Sequence, residues 1–83
     1  MSYIEIADGT KIYVDPEGVP VDWAGDKVYL GNDGKPEYVG SRKITRNTYG
    51  LATHIGEWEV ARDSYNTITH IAGQKVYGNL KLD

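Results

Sequence analysis

Apolar and polar residues alternate over short stretches of this chain, and segments that contain glycine interrupt the alternation. A two-residue period is typical of a β-strand, and no stretch of a dozen residues has the apolar period of a helix. The β-formers Tyr, Val, Ile, Thr and Trp are frequent. We therefore predict one all-β domain over residues 1–83, an antiparallel meander of eight or nine short strands that forms a small barrel or a two-sheet sandwich.

Three segments place an acidic residue directly before glycine: "ADG" at 7–9, "PEG" at 16–18 and "NDG" at 32–34. This order is typical of a three-residue hairpin loop whose last residue has a positive φ, so we predict positive φ at Gly9, Gly18 and Gly34. In the first hairpin such a loop pairs Ile6 with Thr10. This register places one set of aliphatic side chains on a common core face: Ile4, Ile6, Ile12 and Val14.

The segment "KVYLGNDGKPEYVG" at 27–40 follows the pattern of "KIYVDPEGVPVDWA", which begins sixteen residues earlier. Three-residue loops pair Val14 with Pro20 and Leu30 with Pro36. Because proline cannot donate a hydrogen bond to a strand ladder, we predict that both prolines lie on an edge strand or face away from the partner strand. We interpret the duplication as one hairpin design that is used twice.

The second half also has β periodicity, with one strand predicted near residues 42–49. The apolar positions change parity between Ile55 and Trp58, which predicts a tight turn or a bulge at Gly56. Further strands are predicted near 65–71 and 74–82, joined through Ala72 and Gly73. The tripeptide Thr-His-Ile occurs twice in this half. Each half therefore contains an internal echo, and the sequence leaves open whether the echoes are true repeats.

Composition indicates a small core without covalent support. The chain has 83 residues, no Cys and a net charge of −3, and a domain of this length buries only about 60% of its unfolded surface. Acidic residues predominate in residues 1–40 and basic residues after them. No signal-peptide pattern and no membrane-spanning apolar run is present. We therefore expect a cytoplasmic protein that does not contact membranes.

Candidate catalytic residues are few. Only His54 and His70 are suited to proton transfer at neutral pH or to zinc binding, and each follows Thr and precedes Ile. Ser41 and Ser64 lie outside any nucleophile motif, and the glycine spacing matches neither the dinucleotide fingerprint nor the phosphate loop. We expect a protein that is not an enzyme and that needs no metal or cofactor.

Single-stranded nucleic acid is one alternative ligand. The stretch "SRKITRNTY" places basic and aromatic side chains on one predicted strand: Arg42, Lys43, Arg46 and Tyr49. The acidic net charge disfavours this alternative, because phosphate contacts need clustered positive charge.

A carbohydrate-type or choline-type ligand is a second alternative. The segment "WAGDKVYLGNDGKP" resembles one repeat of the choline-binding modules of cell-wall proteins, which also join an aromatic-rich strand to a turn that contains glycine. That family has paired aromatic residues in each repeat, whereas Val28 stands where one of them is expected. The resemblance implies a ligand-binding hairpin with an aromatic stacking surface that could include Tyr13, Trp23, Tyr29 and Tyr38.

The aromatic content favours protein binding. Seven Tyr and two Trp exceed what so small a core can hide, so we predict that some of them are exposed. Tyr and Trp anchor interfaces at low entropic cost. We predict a non-enzymatic protein-binding module, such as an adaptor, an assembly subunit or a small phage inhibitor, whose partner is another protein or a second copy in a homo-oligomer. The residues predicted near the centre of its interface are Trp23, Tyr29, Tyr38 and Trp58.

Overall fold

The computed structural model describes residues 2–83, and this part of the chain contains ten antiparallel strands and no helix. The strands are β1 (Ser2–Ile6), β2 (Lys11–Val14), β3 (Pro20–Trp23), β4 (Asp26–Leu30), β5 (Pro36–Val39), β6 (Arg42–Arg46), β7 (Ala52–Ile55), β8 (Trp58–Arg62), β9 (Ile68–Ile71) and β10 (Gln74–Tyr77). Each strand pairs with its sequence neighbours and β1 also pairs with β10, so the meander closes into a barrel. The predicted all-β meander is confirmed as a ten-strand barrel. Within residues 2–83 no helix could cross a membrane.

A sixteen-residue period divides the barrel into five two-strand units. The units are β2–β3, β4–β5, β6–β7, β8–β9 and β10–β1, and we number them 1 to 5. One backbone hydrogen bond recurs in all five units, at 2.8 to 3.1 Å. Its donors are the N–H groups of Ala24, Gly40, Gly56, Ala72 and Ala7, and its acceptors are the carbonyls of Lys11, Lys27, Lys43, Glu59 and Lys75. The two echoes in the sequence are therefore parts of one structural repeat.

A five-residue segment, which we call the unit loop, joins the strands of each of the first four units. The unit loops are residues 15–19, 31–35, 47–51 and 63–67. In three of them the side-chain oxygen of the first residue accepts hydrogen bonds from the backbone N–H groups two and four residues later, at 2.8 to 3.1 Å. Those first residues are Asp15, Asn47 and Asp63, which act as local caps.

The predicted hairpin chemistry is confirmed. Gly9, Gly18 and Gly34 have φ of 91°, 88° and 79°. The first hairpin has the predicted register, with Glu5 opposite Lys11 and Ile4 opposite Ile12. In its loop the hydroxyl and the backbone N–H of Thr10 hydrogen-bond to the Asp8 carboxylate and lower the pKa of Asp8. Two-residue turns join successive units, including those predicted at Gly56 and at Ala72-Gly73.

A β-bulge follows each unit loop and changes the placement of the prolines. Val14 pairs with Pro20 and Tyr13 with Asp22, so Val21 is an extra residue, and the same shift recurs in units 2 to 4. The predicted pairs Val14–Pro20 and Leu30–Pro36 are confirmed. Of the two placements predicted for the prolines, the edge placement is wrong, because closure leaves no open edge among the described strands. Each proline is instead the buried first residue of its strand, where a missing N–H is tolerated.

Several strands are shorter than predicted. The strand near 42–49 ends at Arg46, because the third unit loop begins at the next residue. The strand predicted at 65–71 begins at Ile68, and the strand predicted at 74–82 ends at Tyr77. Residues 65–67 belong to the fourth unit loop, and residues 78–82 follow β10 without forming a strand.

The core consists of three stacked layers, each with one residue from every unit. The first layer holds Ile12, Val28, Ile44, Val60 and Val76, the second Trp23, Val39, Ile55, Ile71 and Ile6, and the third Pro20, Pro36, Ala52, Ile68 and Ile4. All fifteen residues are buried. Side chains rather than a ligand channel therefore fill the barrel, as expected for its size.

Candidate functional site

The outer surface of the barrel has two different halves. Along the neighbouring strands β10, β1, β2, β3, β4 and β5, five tyrosines point outward, and we call this surface the tyrosine face: Tyr3, Tyr13, Tyr29, Tyr38 and Tyr77. Apart from Lys43, which lies beside Tyr38, the outward residues of β6 to β9 are small or polar and form the threonine–histidine face: Thr45, Thr53, His54, Glu59, Ala61, Thr69 and His70. The aromatic side chains on the strands are thus concentrated on one side.

Tyr29 and Tyr38 lie directly opposite each other on β4 and β5, two neighbouring strands of the tyrosine face. They are 49% and 36% exposed. Tyr38 is also paired with Lys43, and the Lys27 ammonium lies 5.4 Å from the centroid of the Tyr29 ring. The two predicted anchors are therefore adjacent, accessible and bordered by positive charge.

The other tyrosines of this face repeat the same combination of ring and ammonium. Tyr3 and Tyr13 approach to 5.7 Å between ring centroids, and Lys11 lies 5.1 Å from the Tyr3 centroid. On β10, Lys75 lies 5.6 Å from the Tyr77 centroid. Such cation–π contacts restrict the rings and leave the ammonium groups close to any bound partner.

The two predicted tryptophan anchors have structural roles. Trp23 is only 1% exposed and belongs to the second core layer. Trp58 is half-buried, stacks on Trp23 at 6.0 Å, and carries the Arg42 guanidinium 4.2 Å above its ring. The pair closes the end of the barrel opposite the unit loops, so of the four predicted anchors only the two tyrosines are well exposed.

The candidate nucleic-acid-binding residues in the segment 42–49 do not lie on one face of the barrel. Arg42, Ile44 and Arg46 share one parity of β6, whereas Lys43 points outward and is exposed. Arg42 lies over Trp58 and 3.7 Å from Asp26, and Arg46 is turned into the loop end of the barrel. The fourth residue, Tyr49, lies on the third unit loop and is 85% exposed.

His54 and His70 are exposed but are not neighbours. They lie on β7 and β9, so β8 separates them and the two rings do not face each other across adjacent strands. Each ring Nδ1 is 3.0 to 3.1 Å from the hydroxyl of the preceding threonine. Residues 2–83 contain no group of three His, Cys, Asp or Glu side chains that could hold a metal ion.

No family model, curated protein or solved structure matches this chain. The geometry of the chain itself is therefore the basis for a functional interpretation.

Sequence reasoning missed two features that the period makes visible. Tyr77 occupies the same position in its unit as Tyr13 and Tyr29, because the three residues are separated in sequence by multiples of sixteen. Arg62 occupies the position of Arg46, and both guanidinium groups meet the last residues of the chain at the loop end. Alignment of all five units, rather than of two pairs of echoes, would have grouped these residues.

Proposed function

We propose that this chain is a non-enzymatic protein-binding module that uses its tyrosine face. The observation that carries the proposal is the segregation of outward tyrosines, together with their lysines, on six neighbouring strands of a rigid barrel. Tyrosine is enriched at protein interfaces, and a large ring with few rotatable bonds loses little entropy when it is buried. The other half of the barrel carries no outward tyrosine on its described strands.

The lysines indicate the chemistry of the partner. Lys11, Lys27 and Lys75 each lie over a tyrosine ring, and Lys43 borders Tyr38. Glu5 and Asp22 lie opposite Lys11 and Lys27 on the adjacent strands, whereas Lys43 lies opposite Tyr38 and Lys75 opposite His70. Carboxylates on a partner that buries the rings would therefore compensate Lys43 and Lys75 most directly. We propose a partner surface that combines apolar groups with acidic side chains.

The proposal is tested by affinity capture with matched variants. We expect Tyr29→Ala together with Tyr38→Ala to reduce recovery of the protein partner at least about tenfold, because interface anchors cost more than about 1.4 kcal/mol when truncated. The control is Thr45→Ala with Thr69→Ala on the opposite half, which is expected to leave recovery unchanged. Equal recovery with both double variants would contradict the proposal.

Sedimentation of the purified chain shows whether the partner is a second copy. If the tyrosine face mediates self-association, the concentration-dependent mass increase is expected to disappear with Tyr29→Ala and Tyr38→Ala and to persist in the threonine control. Two copies cannot associate by pairing free strand edges, because barrel closure leaves every described strand paired on both sides.

The nucleic-acid alternative is tested at Lys43 rather than at Arg42 or Arg46. Arg42 and Arg46 hold internal contacts, so their replacement would disturb the fold as well as the charge. Lys43→Glu reverses an exposed charge without such contacts. Capture of nucleic acid that is lost with Lys43→Glu but kept in the Tyr29→Ala, Tyr38→Ala chain would favour this alternative.

A second candidate function is sugar binding at the loop end. Tyr49 and Tyr65 occupy the same position of neighbouring unit loops and are 85% and 87% exposed. Asn47, Tyr49, Leu51 and Asn66 line a shallow cleft between these loops. An aromatic plane beside carboxamide groups suits a ring that has one apolar face and polar edges. Titration with simple sugars, observed by NMR at the amides of this cleft, tests the candidate, and Tyr49→Ala is expected to abolish a specific response.

A further inference from the structure

The last five residues of the described chain occupy the loop end of the barrel in a way that no unit loop does. In units 1 to 4 the five equivalent residues form the unit loop that leads to the next strand. Residues 79–83, which we call the tail, instead cross the open end of the barrel. Leu80 and Leu82 are buried although neither belongs to a strand. The tail thus covers the third core layer from above.

Two arginines from successive units bind the end of the tail. The Arg62 guanidinium holds the Asp83 carboxylate with both of its terminal nitrogens, Nη1 at 2.8 Å from Oδ2 and Nη2 at 3.0 Å from Oδ1. Arg46 Nη1 lies 3.4 Å from Oδ1, and Arg46 Nη2 donates to the Leu82 carbonyl at 2.7 Å. The Ala52 N–H also donates to Asp83 Oδ1, at 2.6 Å. A two-point contact of this kind is specific for a carboxylate.

The arginines are held in place by groups outside the tail. Arg46 donates to the carbonyls of Gly50, at 3.0 Å, and Pro36, at 2.6 Å. Arg62 donates to the carbonyls of Asn66 and Ala52, both at 2.9 Å. The Arg62 side chain is only 13% exposed. Two partly desolvated positive groups are therefore held close together by carbonyls of the barrel as well as by the tail, and an anion compensates them.

The tail itself has few backbone constraints. It is outside every strand pair, and the backbone hydrogen bond that it makes to a unit loop runs from the Lys81 N–H to the Gly18 carbonyl, at 3.2 Å. It can leave without breaking a strand ladder, because the barrel closes through β1 and β10 below it. The binding groups are thus built into the barrel, and their occupant is separable from it.

We propose that the loop end of the barrel is a peptide-binding site for a segment with two apolar residues in alternate positions followed by a carboxylate, and that the tail occupies this site as an internal competitor. Leu80, Leu82 and Asp83 define the pattern, and a segment of another protein with the same pattern is the occupant that displaces the tail. The site is separate from the tyrosine face and does not depend on the function proposed there.

Displacement has a measurable cost. A tethered segment has an effective concentration on the order of millimolar or higher, so a free peptide with the same contacts competes only at similar concentrations. A chain whose tail no longer fits is expected to bind the free peptide at much lower concentrations.

The test uses the full-length chain with three tail changes, Leu80→Ser, Leu82→Ser and Asp83→Asn, and a fluorescent peptide with the sequence of residues 78–83. We expect saturable binding to this tail variant, with an affinity at least about tenfold higher than for the unchanged chain. Arg62→Gln added to the tail variant is expected to weaken binding at least about tenfold, since it removes the two-point contact. Lys43→Gln, which removes one positive charge elsewhere, is the matched control and is expected to have no such effect.

A folded tail variant that does not bind the peptide would overturn the proposal. If the tail variant does not fold, the unchanged chain decides the question: unlabelled peptide added to about 10 mM is expected to change the amide signals of Leu80 and Leu82 of the labelled chain in a saturable way, because these residues leave the site. No change at Leu80 and Leu82 would count against the proposal as well. Unchanged peptide affinity in the Tyr29→Ala, Tyr38→Ala chain separates this site from the tyrosine face.

Discussion

Units 1 to 4 and unit 5 share one backbone hydrogen bond but differ in how their strands are joined. In units 1 to 4 the two strands are neighbours in sequence and a unit loop joins them, whereas unit 5 pairs β10 with β1 from the other end of the chain. The equivalent backbone hydrogen bond, from Ala7 to Lys75, is as short as its counterparts, but the register of unit 5 lacks the shift that follows the loop in units 1 to 4. The comparison shows that the pairing of the two strands does not require a unit loop, whereas the bulge accompanies one.

The largest expected effect concerns the residue at which unit 5 departs from the others. Gly78 occupies the position of Val14, Leu30, Arg46 and Arg62, but a Cβ there would lie 2.5 Å from Ile4 Cγ2, and its φ is 129°. We expect Gly78→Ala to lower the free energy of unfolding by about 4 kcal/mol, as backbone strain and overpacking combine. Chemical denaturation measures the change.

The control for this variant is Gly73→Ala, which has a φ of 79° and open space around the added Cβ. Only the conformational cost applies there, about 1 kcal/mol. Equal losses for the two variants would mean that the close approach to Ile4 does not constrain unit 5.

A smaller effect is expected from the residue that starts each unit loop. Asp15 Oδ1 accepts hydrogen bonds from Glu17 and Val19, both at 2.9 Å, so Asp15→Ala is expected to cost about 1.5 kcal/mol in the free energy of unfolding. Asn79 holds the same position in unit 5, where no loop follows, and Asn79→Ala is expected to change stability by less than about 0.5 kcal/mol. A comparable loss at both positions, measured by urea denaturation, would remove the distinction between loop and tail.

The smallest expected effect is a gain. Gly31 begins the second unit loop without a capping side chain, and Asp33 Oδ1 accepts one hydrogen bond, from the Lys35 N–H at 3.0 Å. Gly31→Asn is expected to stabilise the chain by about 0.5 to 1 kcal/mol, because it adds the cap that Asn47 provides in unit 3 and restricts the unfolded backbone. An added Cβ lies 3.1 Å from the mobile end of Glu37, which must move slightly.

Gly31→Ala separates the two contributions to that gain. It restricts the unfolded chain equally but provides no acceptor for the loop N–H groups. If thermal melts show Asn and Ala to be equally stable at this position, the cap contributes nothing in unit 2.

Local chemistry made much of the fold predictable. The register of the first hairpin and the positive φ of Gly9, Gly18 and Gly34 depend on residues within a few positions of one another, and both predictions are confirmed. The placement of Trp23 was not predictable in the same way. A bulge inserts Val21, so the side-chain alternation that starts at Pro20 is shifted and Trp23 faces the core.

The site was less predictable because it depends on contacts between distant residues. The tyrosine face combines strands from both ends of the chain, and Tyr77 joins the other four tyrosines only because β1 pairs with β10. The contact of Arg62 with Asp83 spans 21 residues, and that of Arg46 spans 37. Tyr29 and Tyr38 could be proposed together because they belong to one hairpin.

The pairing of β1 with β10 also determines when the protein can be completed during synthesis. Four of the five units are hairpins that can form as soon as their own residues leave the ribosome, because their contacts are short in sequence. The fifth must wait for Val76 and Tyr77, which pair with Ile6 and Glu5 near the start of the chain. Until then β1 has a free edge, and a nascent neighbour could pair with it. Ring closure is therefore the step at which a slow ribosome or a crowded polysome would most affect the yield of folded protein.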